Sequence, residues 1–185
     1  MKIKYNGGSQ FIFNGKKVSL ALNPSNDLKT DIVLLSKESK DVVFANSKVC
    51  DWPGEYEISS VPIIGVPVLG KDFVIYRFTI DDISICFLKG VSEILNDDVL
   101  EKIGDIDVLL ISIGNGPDTL DAKKAHDIFE DIDPRIVIPF EYDLENLSNF
   151  AKEFGSIPEA LNEYEISKSA LPIDKSEIVI LNKGL

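Results

Sequence analysis

Only one histidine, His126, stands in the 185 residues of this chain. Catalytic zinc centres usually take two or three imidazoles and two-metal centres more, so an imidazole-rich metal site within one chain is excluded. Cysteine is almost as scarce. Cys50 and Cys86 are far apart, each in or beside a strand-like stretch, and no CxxC pair suggests structural zinc. Buried free thiols are the expectation for a reducing compartment, and the pattern leaves a disulfide between them open. Long apolar runs are absent too. None reaches the ~18 residues needed to span a bilayer, and Met1-Lys2-Ile3-Lys4-Tyr5 lacks the apolar core of a signal peptide. The expectation is a soluble, cytoplasmic protein without a membrane partner. Positive charge is in the minority: 19 Lys and Arg stand against 31 Asp and Glu, for a net charge of −12. Phosphate backbones are repelled on average, so no nucleic-acid partner is expected.

What remains is an apolar-rich chain, 44% hydrophobic, long enough for a real core. No repeat, low-complexity tract or linker divides it, so residues 1–185 are read as one domain. The first third reads as short strands. Phe11-Ile12-Phe13 leads through the turn signal Asn14-Gly15 to Val18–Leu22. Ile32–Leu35 is an interior strand, Val42–Phe44 another short one, and Tyr56–Ile64 an extended run that Pro62 keeps from a central position. Phe73–Ile80 and Ile83–Leu88 form a hairpin around Asp81-Asp82. Ser92 to Ile103 reads as a helix ended by Gly104. Val108–Ile113 is a buried strand. Next comes a helix from Asp118 or Thr119 to about Ile132, with Ala122, Ala125, Phe129 and Ile132 at helical spacing. Ile136–Ile138 is a further strand, Leu144–Phe154 a helix, and Ile178–Leu181 a last strand. Strand and helix alternate here, as in a sheet covered by helices.

Three stretches carry a resemblance. Pro53-Gly54-Glu55-Tyr56-Glu57-Ile58 comes first, then Ile103-Gly104-Asp105-Ile106-Asp107-Val108-Leu109-Leu110-Ile111. The third is Thr119-Leu120-Asp121-Ala122 followed by Pro134-Arg135-Ile136-Val137-Ile138-Pro139. In this order they resemble the metallo-β-lactamase superfamily, in its branch of small metal-dependent hydrolases similar to ascorbate-6-phosphate lactonase. The resemblance implies an α/β (α+β) fold, a four-layer αββα sandwich with its site along the edge of two sheets.

It also implies a site whose ligands have been replaced. The family's Gly-His-Ser corresponds to Gly7-Gly8-Ser9, which puts Gly8 at the His position. Its Thr-His-x-His-x-Asp-His corresponds to Ser36-Lys37-Glu38-Ser39-Lys40-Asp41-Val42. Lys37, Ser39 and Val42 then replace His, and Asp41 alone is kept. His-Leu-Gly-Asp corresponds to Phe87-Leu88-Lys89-Gly90, with Phe87 for His and Gly90 for the metal-bridging Asp. Ile-Pro-Met-His-Tyr becomes Ile138-Pro139-Phe140-Glu141-Tyr142, with Glu141 for His. A protonated lysine has no lone pair to give a metal, and Val42 and Gly8 offer nothing. Two carboxylates beside two lysines make a poor divalent site.

Ion pairs among Lys37, Lys89, Asp41 and Glu141 are therefore expected in place of a metal. The family reading becomes a non-catalytic protein, a pseudoenzyme without metal or cofactor. It would serve as an interaction or structural subunit, with a homo-oligomer or another protein as partner. The alternative is a hydrolase of phosphoesters, lactones or thioesters with a metal-free or carboxylate-based site. There Asp41 or Glu141 would be the base, Lys37 the oxyanion partner, and Ser39 beside Lys37 a nucleophile pair. His126 reads as a half-buried structural histidine. Trp52 beside Pro53 reads as a packing anchor, and Gly114-Asn115-Gly116-Pro117 as a plain connection lacking a phosphate-loop lysine.

Overall fold

Burial alternates along Gln10–Asn14: Phe11 and Phe13 are buried in a core, Gln10 and Ile12 are half-buried, and Asn14 is exposed. That pattern builds the first sheet in the computed structural model, which describes residues 1–38 and 42–184. Its strands are β1 (Lys2–Gly7), β2 (Gln10–Asn14), β3 (Ser19–Leu22), β4 (Ile32–Leu34) and β5 (Lys48–Cys50). The second sheet takes β6 (Gly54–Ile58), β7 (Val61–Pro67), β8 (Val74–Ile80) and β9 (Ile83–Leu88). After α1 (Asp97–Ile103) it adds β10 (Val108–Ser112), and after α2 (Ala122–Ile132) β11 (Ile136–Phe140). Beyond α3 (Leu144–Ala151), β12 (Tyr164–Glu165) joins the first sheet and β13 (Glu177–Ile178) the second. The orders are β12-β1-β2-β3-β4-β5 and β13-β11-β10-β9-β8-β7-β6. Strand β10 lies parallel to β9 and β11, and β4 parallel to β3 and β5. Every residue of β10 and β11 is buried, as parallel strands covered on both faces require.

Between the sheets, Phe11, Phe13, Leu22 and Leu34 of the first meet Tyr76, Phe78, Phe87 and Phe140 of the second. Phe13 and Phe78 pack edge-on with centroids 5.2 Å apart. On the outer face of the second sheet, Ile103, Ala125, Ile128, Leu147 and Phe150 from the three helices cover Ile75, Cys86, Leu109, Ile111 and Val137. The outer face of the first sheet is thinner: Ala21, Val33 and Leu35 pack with Leu28 and Phe44 from loops. The two mixed sheets with their flanking helices are the expected sandwich, although each described α-helix lies on the second sheet.

Several local expectations change. The extended run at Tyr56–Ile64 is two strands, because Ser59 and Ser60 take φ of 52° and 61° and turn the chain. Pro62 then sits in an interior strand after all. It faces Glu57 of β6, while the ladder to β8 begins only at Ile63, so its missing N–H is outside that ladder. Val42–Phe44 is not a strand. Helix α1 starts at Asp97 rather than Ser92, since the Asn96 side chain accepts from the Val99 N–H and Asp97 and Asp98 fill the first turn. Helix α2 is capped by Asp121, not Asp118 or Thr119. The last strand is shorter than the Ile178–Leu181 run. Cys50 and Cys86 are free and buried, and desolvation pushes the Cys86 thiol far above its ordinary range.

Candidate functional site at the strand ends

Strands β4, β9, β10 and β11 end at one edge of the sandwich, where the two sheets meet. Carboxyl ends of parallel strands are where open α/β sheets place ligands. Glu141 follows β11 directly with φ of 56°, a left-handed conformation that costs a side-chain-bearing residue energy. Its carboxylate accepts a 2.7 Å hydrogen bond from Ser112 Oγ at the end of β10. Lys89 Nζ, just past β9, lies 2.9 Å from the same Glu141 oxygen, Oε2. Side-chain exposures of 14% for Lys89 and 21% for Glu141 keep the pair out of most solvent screening. Under it lies an aromatic floor: Phe87 stacks on Phe140 at 5.2 Å, and Phe11 meets Phe140 edge-on at 5.4 Å.

Phe73, in the loop before β8, stands beside this pair. Lys89 Nζ is 5.5 Å and Lys37 Nζ 5.4 Å from its ring centroid, both within cation–π range. Gly90 makes room for that ring: a Cβ there would collide with the Cβ, Cγ and Cδ2 atoms of Phe73.

The first sheet adds a polar knot. Ser36 ends the β4 run and is buried. Its N–H donates to Asn23 Oδ1 at 2.7 Å, and Asn23 Nδ2 donates to Ser36 Oγ at 2.8 Å and Ser9 Oγ at 3.1 Å. Gly8 is exposed, its carbonyl accepts from the Tyr5 hydroxyl, and a Cβ on it would meet open space. Burial is the largest influence on the Tyr5 hydroxyl and pushes its pKa up, against a hydrogen bond with the Glu141 backbone. The sheets are tied at this edge by Val74 N–H donating to Ser36 O at 2.7 Å, and by Tyr76 Oη bonding Leu35 O and Cys50 O at 3.1 Å each.

A family model described as a beta-lactamase superfamily domain matches residues 2–141. The chain belongs to the metallo-β-lactamase superfamily. Among solved structures it is similar to a superfamily member from Thermotoga maritima whose name proposes a zinc-dependent hydrolase. That match has 24% identity and a TM-score of 0.85, covering 97% of each chain. It is also similar to the metallo-β-lactamase fold protein YhfI from Bacillus subtilis, at 11% identity and TM-score 0.65, covering 100% of this chain and 98% of that one. Against CmlA, a diiron β-hydroxylase from Streptomyces venezuelae, identity is 12% and the TM-score 0.68. There the match covers 90% of this chain but 54% of the relative. At these identities the solved structures speak for the fold. No curated protein sequence matches the chain.

Of the superfamily-aligned positions, the edge brings together Lys89, Gly90 and Glu141, with Lys37 reaching them through Phe73. Lys37 does not join the Glu141 ion pair; it sits on the ring instead. Phe87 is fully buried in the inter-sheet core. Val42 is half-buried. Ser39 and Asp41 fall outside the described residues. Sequence reasoning missed Phe73 and Ser112, which read as ordinary strand residues. A glycine directly after Lys89 was the available signal, since a close-packed neighbour often forces glycine.

His126 is half-buried on α2 as expected, 3.7 Å from Glu130, and its ring lies 6.2 Å from Phe129. Trp52 differs: at 64% exposure it is a surface residue. It lines a small cavity with Lys37, Pro67, Lys71 and Phe73. Pro67 and Lys71 also line a larger, mostly apolar cleft of about 270 Å³ beside α1. Leu69 and Ile94 line that cleft, at 78% and 61% exposure. Among the described residues no helix is long and apolar enough to cross a membrane.

Proposed function

We propose that this chain is a non-catalytic, metal-free member of its superfamily, working as an interaction or structural subunit. The observation that carries this reading is the Lys89–Glu141 ion pair at 2.9 Å. The superfamily implies a metal at this edge, and the donor set does not fit one. Glu141 is the carboxylate among the described aligned positions, and Ser112 and Lys89 already occupy it. Both engage its Oε2, so a cation at this carboxylate would sit beside an ammonium that is chemically unable to ligate it. Phe73 fills the space beside Gly90 that another ligand side chain would need. Reactions that depend on a metal-activated water have no counterpart in these residues. The interaction role draws on exposed Trp52, Leu69 and Ile94, which border two cavities sharing Pro67 and Lys71. A second copy of the chain is the partner proposed.

The second reading, a hydrolase with a carboxylate-based site, draws on the 2.7 Å bond from Ser112 to Glu141, where the carboxylate would take up the hydroxyl proton. Full burial of Ser112 keeps its oxygen from substrate, and Lys89 lies on the same carboxylate oxygen that would take the proton. Assays on phosphoester, lactone and thioester substrates, with and without added Zn²⁺, Mn²⁺ or Fe²⁺, separate the two. No turnover above that of boiled protein is expected. Hydrolysis that disappears in Asp41→Asn or Glu141→Gln would establish the second reading instead.

A further inference from the structure

The metal-free reading leaves open what holds the two sheets together at this edge. Side chains from both sheets converge on one ring. Lys37, after β4 of the first sheet, and Lys89, after β9 of the second, lie 5.4 and 5.5 Å from the Phe73 centroid. Lys89 continues to Glu141 after β11, and Glu141 to Ser112 on β10. Four strand ends are thus connected through side chains, beside the backbone bond from Val74 to Ser36.

Gly90 is fitted to this arrangement. It holds φ of 83°, and a Cβ would come within 2.5 Å of Phe73 Cβ and 2.6 Å of Phe73 Cδ2. Real Cβ atoms do not approach so closely, and the obstructing atoms are Phe73 Cβ and the ring atoms Cγ and Cδ2, of which alanine at position 73 keeps only Cβ. Gly8 provides the contrast, since its φ is also positive but a Cβ there would meet nothing within 4 Å.

We infer that Phe73 is the centre of a metal-independent brace. Its ring occupies the space in front of Gly90 and lies within cation–π range of two ammonium groups, Lys37 from the first sheet and Lys89 from the second. This deepens the metal-free reading: the same ring that excludes a longer side chain at position 90 replaces the cross-linking that a bridging cation would supply. Positions 73 and 90 are then energetically coupled, and position 90 is glycine because of Phe73 as well as because of its own backbone angle.

A double-mutant cycle tests this. Phe73→Ala, Gly90→Ala and the double variant are compared with the parent by thermal and urea denaturation. Alanine at 90 bears the cost of positive φ in both backgrounds, so the cycle cancels that cost and reads the steric coupling alone. The brace predicts that Phe73→Ala lowers Tm by about 5 °C. It also predicts that Gly90→Ala is several-fold less damaging, as a change in the folding equilibrium constant, once Phe73 is gone. If Phe73→Ala does not fold in plain buffer, the same four proteins are compared in a stabilising osmolyte such as trimethylamine N-oxide, which favours the folded state without restoring the ring. Equal cost of Gly90→Ala in both backgrounds, or an unchanged Tm in Phe73→Ala, would overturn the brace. Metal content is read on the same samples, and a bound metal in the parent would defeat the metal-free reading whatever the cycle shows.

Discussion

Glu141 combines two costs, a left-handed backbone and a part-buried charge. Lys89 and Ser112 offset the second by supplying a counter-charge and a hydrogen bond to one carboxylate oxygen. Removing Lys89 leaves that charge unpaired. Lys89→Met should therefore destabilise the fold by about 1–2 kcal/mol, less than a fully buried pair because both groups keep some solvent. In Lys89→Met/Glu141→Gln the loss should fall below the sum of the single changes. Urea midpoints measure both effects, and a neutral Lys89→Met would show that the ion pair is only a surface contact. Lys89 and Glu141 were legible in the sequence because each follows an apolar strand at a superfamily-aligned position. The placement of Lys37 was not. Its ammonium rests on Phe73, a contact between residues far apart in the chain that no local pattern encodes.

At the scale of elements, polar caps and turns decide where chain segments begin. Asp143 caps α3, accepting from the Asn146 N–H at 2.8 Å and from Asn146 Nδ2 at 2.7 Å. Bonding from the Asn146 backbone, above all, holds the Asp143 carboxyl below its ordinary range. The folded pKa lies below the unfolded one. The cap therefore stabilises fully above about pH 4 and loses that contribution as pH falls through the folded value. Asp143→Ala should melt at a lower temperature than the parent at neutral pH, and the gap should close as pH falls below the ordinary carboxylate range. Melts followed by circular dichroism at several pH values check this, and a pH-independent gap would contradict the cap. The two tight hairpin turns show how far sequence reading reaches. Asp81-Asp82, at φ of 52° and 63°, stood out because aspartate tolerates positive φ and separates two apolar runs. Ser59-Ser60 makes the same bend with residues that carry no such preference, so β6 and β7 read as one run. The sandwich itself became legible only through the superfamily resemblance. Alternating and buried runs announce strands, but the pairing of β1 with β12, across most of the chain, leaves no trace in local pattern.

For the whole molecule, the surface and the strand-end edge suggest different measurements. The exposed apolar residues Trp52, Leu69 and Ile94 lie around the two neighbouring cavities, and the proposed partner is a second copy. Light scattering across a range of concentrations should give a mass above that of the single 20.5 kDa chain. Leu69→Ser with Ile94→Ser should return it to the monomer value, because an apolar contact is then lost without disturbing the core. A strict monomer at every concentration would count against self-association. The central claim is that ammonium–carboxylate pairing and an aromatic ring stand where superfamily members implied to use metals would hold them. Elemental analysis of purified protein, after equilibration with zinc, manganese and iron and removal of excess, tests it most directly. The Lys89–Glu141 pair and the Phe73–Gly90 packing predict well under one-tenth of an equivalent of any of these metals per chain, on the order expected of adventitious binding. A near-stoichiometric metal that is lost in Glu141→Gln would contradict it.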